Sequence, residues 1–177
     1  FILLGIGSIG AAIKYTVGKS AYGYSGFGDL FVFIFFGLVS VVGSNFLFTH
    51  FIDWKLFLPA SAIGLLSVAV LNLNNMRDIE NDKIAGKNTL VVKMGLENAK
   101  KYHSLLLVIP LIVMFVFAKL INTSYLPIFL VNIFFIKHIG TVYKANQYKD
   151  FDPELKKVAL STFALSILFW LTLVFLN

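Results

Sequence analysis

Apolar residues in this chain come in long unbroken runs, not in the short alternation of a half-buried strand. Six runs, over 1–13, 30–49, 56–73, 104–118, 125–136 with a continuation to 142, and 158–176, predict helices. A bilayer-crossing helix needs about 20 mostly apolar residues. No run carries an acidic residue in its core, as real spans require, because a charge at a helix centre costs roughly 2.5–3.5 kcal/mol on insertion. Lys137 and His138 interrupt the fifth run; a lysine there is expected to snorkel to the interface. The first run, at about 1.5 Å per residue, rises only about 20 Å against a hydrocarbon core of about 30 Å. No Met or basic segment precedes it, so it does not read as a signal peptide and is expected to continue a helix begun upstream. The reading is all-α: a multi-span transmembrane bundle forming one membrane domain over 1–177.

Composition makes the membrane obligatory. The chain is 58% hydrophobic with 14% charged residues and mean hydropathy +0.84, which excludes a soluble globule. Without cysteine there is no disulfide, thiolate nucleophile or Cys-ligated metal. The net charge of +6 does not mark a nucleic-acid binder, because the basic residues sit between apolar runs. Lys14 and Lys19, Arg77, Lys83, Lys87, Lys93, Lys100 and Lys101, and Lys144, Lys149, Lys156 and Lys157 fall on one side, against Lys55 and Lys119 on the other. The positive-inside rule makes the crowded side cytoplasmic, so polar chemistry is expected there. Asp152-Pro153-Glu154 reads as a helix start with Asp152 as N-cap. Gly18, Gly23, Gly26 and Gly28 mark a loop of unusual turns. His50 and His103 read as interfacial, and Asn45 and Asn132 as interhelical hydrogen bonders.

The candidate chemistry lies in 72–90, NLNNMRDIENDKIAGKNTL. Continued as a helix, this stretch puts Asn75 at about 300°, Asp78 at about 240° and Asp82 at about 280°, within one stripe. Arg77 and Glu80 fall on the other face, towards head groups or a neighbouring loop. Gly86 offers a helix stop, after which Lys87 can return towards the carboxylates. Carboxylates four residues apart repel, and a cation should offset this; Mg²⁺ suits, being typically held by one or two carboxylates plus substrate phosphates. Solvated loop carboxylates paired with Lys83 and Lys87 fit the spacing equally, and both readings stay open at this point.

The run NNMRDIENDKIAGKNTL, with Tyr15-Thr-Val-Gly-Lys19 as Y-x-x-x-K and AYGYSGFGDLFVFIFFG after it, resembles the UbiA superfamily of intramembrane prenyltransferases. The wording is most similar to the branch that prenylates 1,4-dihydroxy-2-naphthoate in menaquinone synthesis. The resemblance covers nearly the whole chain, though only the aspartate motif is specific. It implies Mg²⁺-dependent transfer of a polyprenyl group from its diphosphate to the aromatic acceptor, with loss of carbon dioxide. Asp78 and Asp82 would be the catalytic metal ligands, and Tyr15, Lys19, Lys87 and Asn75 would surround the diphosphate. The setting implied is the inner cytoplasmic membrane, multi-pass, with the site facing the cytoplasm. Family members have nine helices and an earlier N-x-x-x-D-x-x-x-D motif that this sequence lacks; the chain resembles helices four to nine, and alone it is expected to be inactive. A 4-hydroxybenzoate prenyltransferase is the nearest competitor. A transporter with a carboxylate cation site predicts acidic residues at mid-span, whereas these lie at a helix end.

Overall fold

The structure, a computed structural model, describes residues 2–16 and 22–175, which hold helices and no strand. In chain order these are α1 (Ile2–Thr16), α2 (Gly28–Thr49), α3 (Trp54–Arg77), α4 (Ile79–Ile84), α5 (Leu90–Met94), α6 (Leu96–Leu120), α7 (Leu126–Lys144) and α8 (Tyr148–Phe175). Five of them, α2, α3, α6, α7 and α8, are long and apolar enough to cross a membrane. The first apolar run forms α1, whose 15 residues fall short of a span, as expected. The fourth run begins earlier than hydropathy predicts: α6 starts at Leu96, eight residues before 104, and so takes in Lys100 and His103.

Helix α3 is the centre of the bundle, packed against α2, α6 and α8, with α7 set against α6 and α8. Ala60, Leu66, Ala69, Leu73 and Met76 on α3 are fully buried. Apolar burial gives little drive between helices already in lipid, so close approach of small residues matters more. Gly37 and Gly64 provide it: a Cβ on Gly37 would lie 2.6 Å from the Ala60 carbonyl oxygen and 2.7 Å from the Gly64 Cα. Around this crossing α2 widens into a π-helical segment, Phe33–Val39, a local register change that recurs where a helix is remodelled by its neighbour or by function. Outward faces carry Phe129, Phe134, Phe163 and Trp170, each more than half exposed, as lipid contact requires.

Cross-contacts gather the three basic connections at one end. The Asn88 N–H donates to the Tyr24 carbonyl (2.8 Å) and Lys93 Nζ to the Ser25 carbonyl (2.9 Å). Buried Lys100 donates to Glu97 Oε1 and to the Ala145 carbonyl (both 3.1 Å), closing the end of α7 onto α6. Gly26, at φ +86, lets its loop lie against Asn88 and Lys93; a Cβ there would sit 2.9 Å from both.

Three expectations need correction. Asp152 has helical dihedrals (φ −60, ψ −50) inside α8 and is no N-cap; Gln147 and Asp150 form a capping box ahead of it, so α8 starts a turn earlier. Asn45 donates to Thr49 Oγ1 and to the Phe51 carbonyl at the end of its own helix, and Asn132 makes no side-chain hydrogen bond among the described residues. His103, read as an interfacial residue with no special partner, is fully buried inside the bundle and hydrogen-bonded to His138.

Candidate functional site

The polar stretch after α3 is built by two breaks in the helix. The first is at Asp78, whose dihedrals (φ −98, ψ 9) separate α3 from α4, so the single stripe of Asn75, Asp78 and Asp82 does not continue unbent. The second is the predicted stop at Gly86, which takes φ +69. Its N–H bonds the Lys83 carbonyl (3.1 Å) and the Lys87 N–H bonds the Asp82 carbonyl (2.8 Å), the paired bonds of a Schellman motif. That turn folds Lys87 back, and its ammonium pairs with the Asp82 carboxylate at 3.0 Å. The Tyr24 ring lies 5.4 Å from the same ammonium, a cation–π distance.

Asp82 is 5% exposed and Asp78 about a third. Arg77 clasps Asp78 with Nε on Oδ1 and Nη2 on Oδ2, each 2.9 Å. The same guanidinium donates to Asn74 Oδ1 (2.8 Å) and, through Nη1, to Asp152 Oδ1 (2.7 Å). Arg77 and Glu80 do face a neighbouring segment, since Arg77 bonds Asp152 on α8 and the charge of Glu80 acts on Tyr148 at the start of α8. The clasp on Asp78 was not expected from the helical angles; it follows from the break at Asp78. The ion-pair alternative holds for Asp82 with Lys87, whereas Asp78 takes Arg77 and not Lys83.

Hydrogen bonding from Arg77 holds the Asp78 carboxyl below its usual range against the opposing effect of burial, and the charges of Arg77 and Lys87 add in the same direction. A depressed carboxyl stabilises the fold above its unfolded value of about 3.9 and loses that contribution as pH falls through the folded value. Thermal unfolding in detergent should therefore show wild type more stable than Asp78→Asn at pH 6, with the advantage shrinking progressively as pH falls below the unfolded value of about 3.9.

Asn75 is buried, but its neighbour Asn74 is the residue that both bonds Arg77 and lines a cavity of about 450 Å³ between α2, α3 and α8. Val32, Phe36, Leu66, Val70 and Leu71 make the apolar walls. Sequence reasoning missed Asn74; its offset of three from Arg77, one helical turn, was the available signal. Lys19 lies outside the described residues, as does the side chain of Tyr15, whose backbone lies in the last turn of α1. Asp78 and Asp82 offer the oxygen ligands that Mg²⁺ prefers, and among the described residues no group of three Asp, Glu or His is close enough to hold a metal. Each carboxylate is here paired with a side-chain cation, Asp78 with Arg77 and Asp82 with Lys87, so a metal held by them would take the place of part of that pairing and complete its shell with phosphate oxygens and water.

A helical bundle with five helices long and apolar enough to cross a membrane, and with carboxylates and cations paired just after α3, defines a multi-pass membrane protein. Residues 1–160 match the UbiA prenyltransferase family, and the chain belongs to it. It is 43% identical over 176 residues to the 1,4-dihydroxy-2-naphthoate octaprenyltransferase of Haemophilus influenzae, covering 98% of this chain and 57% of that protein. The Escherichia coli protein of the same name is 56% identical over 107 residues, 60% of this chain and 35% of the relative. A UbiA prenyltransferase domain-containing protein 1 from Dictyostelium discoideum is 38% identical over 86 residues, 49% of this chain and 26% of its own. No solved structure gives a significant match.

Proposed function

We propose that the intact protein transfers a polyprenyl group from its diphosphate to 1,4-dihydroxy-2-naphthoate, at the cytoplasmic face of the inner membrane, in menaquinone synthesis. The likeness of 98% of this chain to 57% of the Haemophilus influenzae 1,4-dihydroxy-2-naphthoate octaprenyltransferase carries the reading. In this reaction the allylic C–O bond breaks, diphosphate leaves, a ring carbon takes the prenyl group, and the ring carboxylate departs as carbon dioxide. The walls contributed by Phe36, Leu66 and Val70 keep a prenyl chain and its developing allylic cation from water. Lys87, folded back by the Gly86 turn, is a cation already delivered to the carboxylates. Arg77 fixes Asp78 and ties it to α8 through Asp152. Mg²⁺ held by Asp78 and Asp82 would neutralise charge developing on the leaving diphosphate. Gathering the basic connections at the same end as the carboxylates supports the cytoplasmic assignment of that end.

The test is transfer of a labelled prenyl group from its diphosphate to the naphthoate, in membranes holding the intact protein. Turnover should stop with a chelator and return with Mg²⁺. Activity that survives chelation would reject the metal, and a preference for 4-hydroxybenzoate would reject the acceptor.

A further inference from the structure

Helix α8 looks onto two cavities from opposite faces. Leu155, Ala159 and Thr162 line the one shared with α2 and α3. Lys157, Ser161, Ala164 and Leu168 line a second, of about 500 Å³, shared with α7. At 100° per residue the two sets centre roughly 155° apart, so the second cavity is separate from the candidate prenyl site.

Its polar groups cluster at one level. Lys137 lies about 10 Å from the α7 end at Lys144, and Lys157 about 8 Å from Asp152, counted at 1.5 Å per residue. Both α7 towards its start and α8 towards its end lead away from the basic end of the bundle. The apolar lining therefore continues deeper, Leu130 about 10 Å beyond Lys137 and Leu168 about 16 Å beyond Lys157. A basic mouth over an apolar trough is the shape of an amphiphile standing in a leaflet.

The mouth is held by a buried polar chain. Lys157 donates to Glu154 Oε1, His138 Nδ1 to Glu154 Oε2, and His103 Nε2 to His138 Nε2 at 2.8 Å. Glu154 is 1% exposed and His103 fully buried. With His138 neutral and its Nδ1–H turned to the carboxylate, its Nε2 is the acceptor of the His103 bond, and His103 Nδ1 has no hydrogen-bond partner among the described residues. With both Glu154 oxygens taken, Lys157, its side chain 59% exposed, has hydrogens left to donate. Lys137 is exposed and its ammonium has no ion-pair partner among the described residues. Counting Lys137, Lys157 and Glu154, the groove carries one net positive charge, matched by the single negative charge of a phosphodiester. A diphosphate would leave charge unneutralised.

We propose that the α7–α8 groove binds an anionic glycerophospholipid, its phosphodiester between Lys137 and Lys157 and an acyl chain along Leu130, Phe134, Ala164 and Leu168. The test is native mass spectrometry of the intact protein in neutral detergent with phosphatidylglycerol, and with phosphatidylcholine of the same acyl chains. Phosphatidylglycerol should be retained at least fivefold better. Lys137→Ala should cut that retention about fivefold, the weight of one lysine near an anionic head group, and Lys137→Glu should cut it to the phosphatidylcholine level. Lys157→Arg should keep it, and Ala164→Trp, which fills the trough, should abolish it; unchanged thermal unfolding of the Lys137 variants confirms that they fold. Equal retention of the two lipids, or indifference to Lys137→Glu, would overturn the proposal. So would displacement of phosphatidylglycerol by equimolar inorganic phosphate or farnesyl diphosphate, which would assign the groove to another anion.

Discussion

Asp82→Ala should lower prenyl transfer by about 10²–10³-fold, the loss seen when one fixed electrostatic group is removed from a developing charge, with little change in unfolding temperature. The second half of that expectation comes from the geometry. Asp82 is buried against Lys87, but the Lys87 side chain is about a third exposed, so a widowed ammonium can turn to water instead of staying buried and unpaired. Asp78→Ala should be as severe in turnover, with a modest loss of stability at neutral pH from the lost Arg77 clasp, limited because Arg77 keeps Asn74 and Asp152 as partners. Lys87→Ala should cost about tenfold, a single cation's share of a charge-assisted contact. Exposed Lys83 is the control, and Lys83→Ala should leave turnover unchanged. Initial rates with saturating prenyl diphosphate, read beside the melting curve of each variant, separate the two effects. An Asp82→Ala protein that turns over normally would remove the carboxylates from the chemistry.

Gly37→Val should be the most damaging change away from the site, destabilising the bundle by about 3 kcal/mol, the upper end of overpacking costs. The atoms a new Cβ would strike are the Ala60 carbonyl and the Gly64 Cα, both main chain, so no rotamer change relieves the clash and α2 must move off α3. Gly64→Val meets Phe33, with the ring at 2.8 Å and the carbonyl oxygen at 2.9 Å; the ring can yield but the carbonyl cannot. Gly43→Ala is the contrast, since its Cβ would find only a Val39 methyl at 3.9 Å, and it should be neutral or slightly stabilising because alanine is the better helix former. Thermal unfolding in detergent reads all three. Because α2 and α3 wall the apolar cavity, surviving Gly37→Val protein should also lose turnover.

The span pattern was legible in the sequence because lipid imposes one simple demand, a long apolar helix, on each crossing. The Gly86 turn and the return of Lys87 were legible too, since a glycine after a polar helix end has few other uses. Contacts between distant residues were not. Arg77 reaches Asp152 across 75 positions, and nothing in the periodicity of either segment announces it. Read alone, His103 looks like an interfacial residue and His138 like an interruption of its apolar run. Only the packing of α6 on α7 turns them into neighbours, and only the start of α8 supplies Glu154. Helical angles carried Asp78 and Asp82 as far as a common side, but the backbone break at Asp78 decides which cation each carboxylate meets.

The histidine–glutamate chain joins α6, α7 and α8, so none of the three satisfies its buried polar groups alone. While α6 and α7 are in the bilayer without α8, His138 has no acceptor for its Nδ1–H, and while α8 is inserted without them, Glu154 is a carboxylate with only Lys157 beside it. Each lone helix thus enters lipid carrying a polar group whose partner is supplied by another helix. The three last spans are therefore expected to leave the insertion machinery as a unit, and a chain stalled after α7 should be held there or degraded, because its mispaired histidine marks it as unfinished.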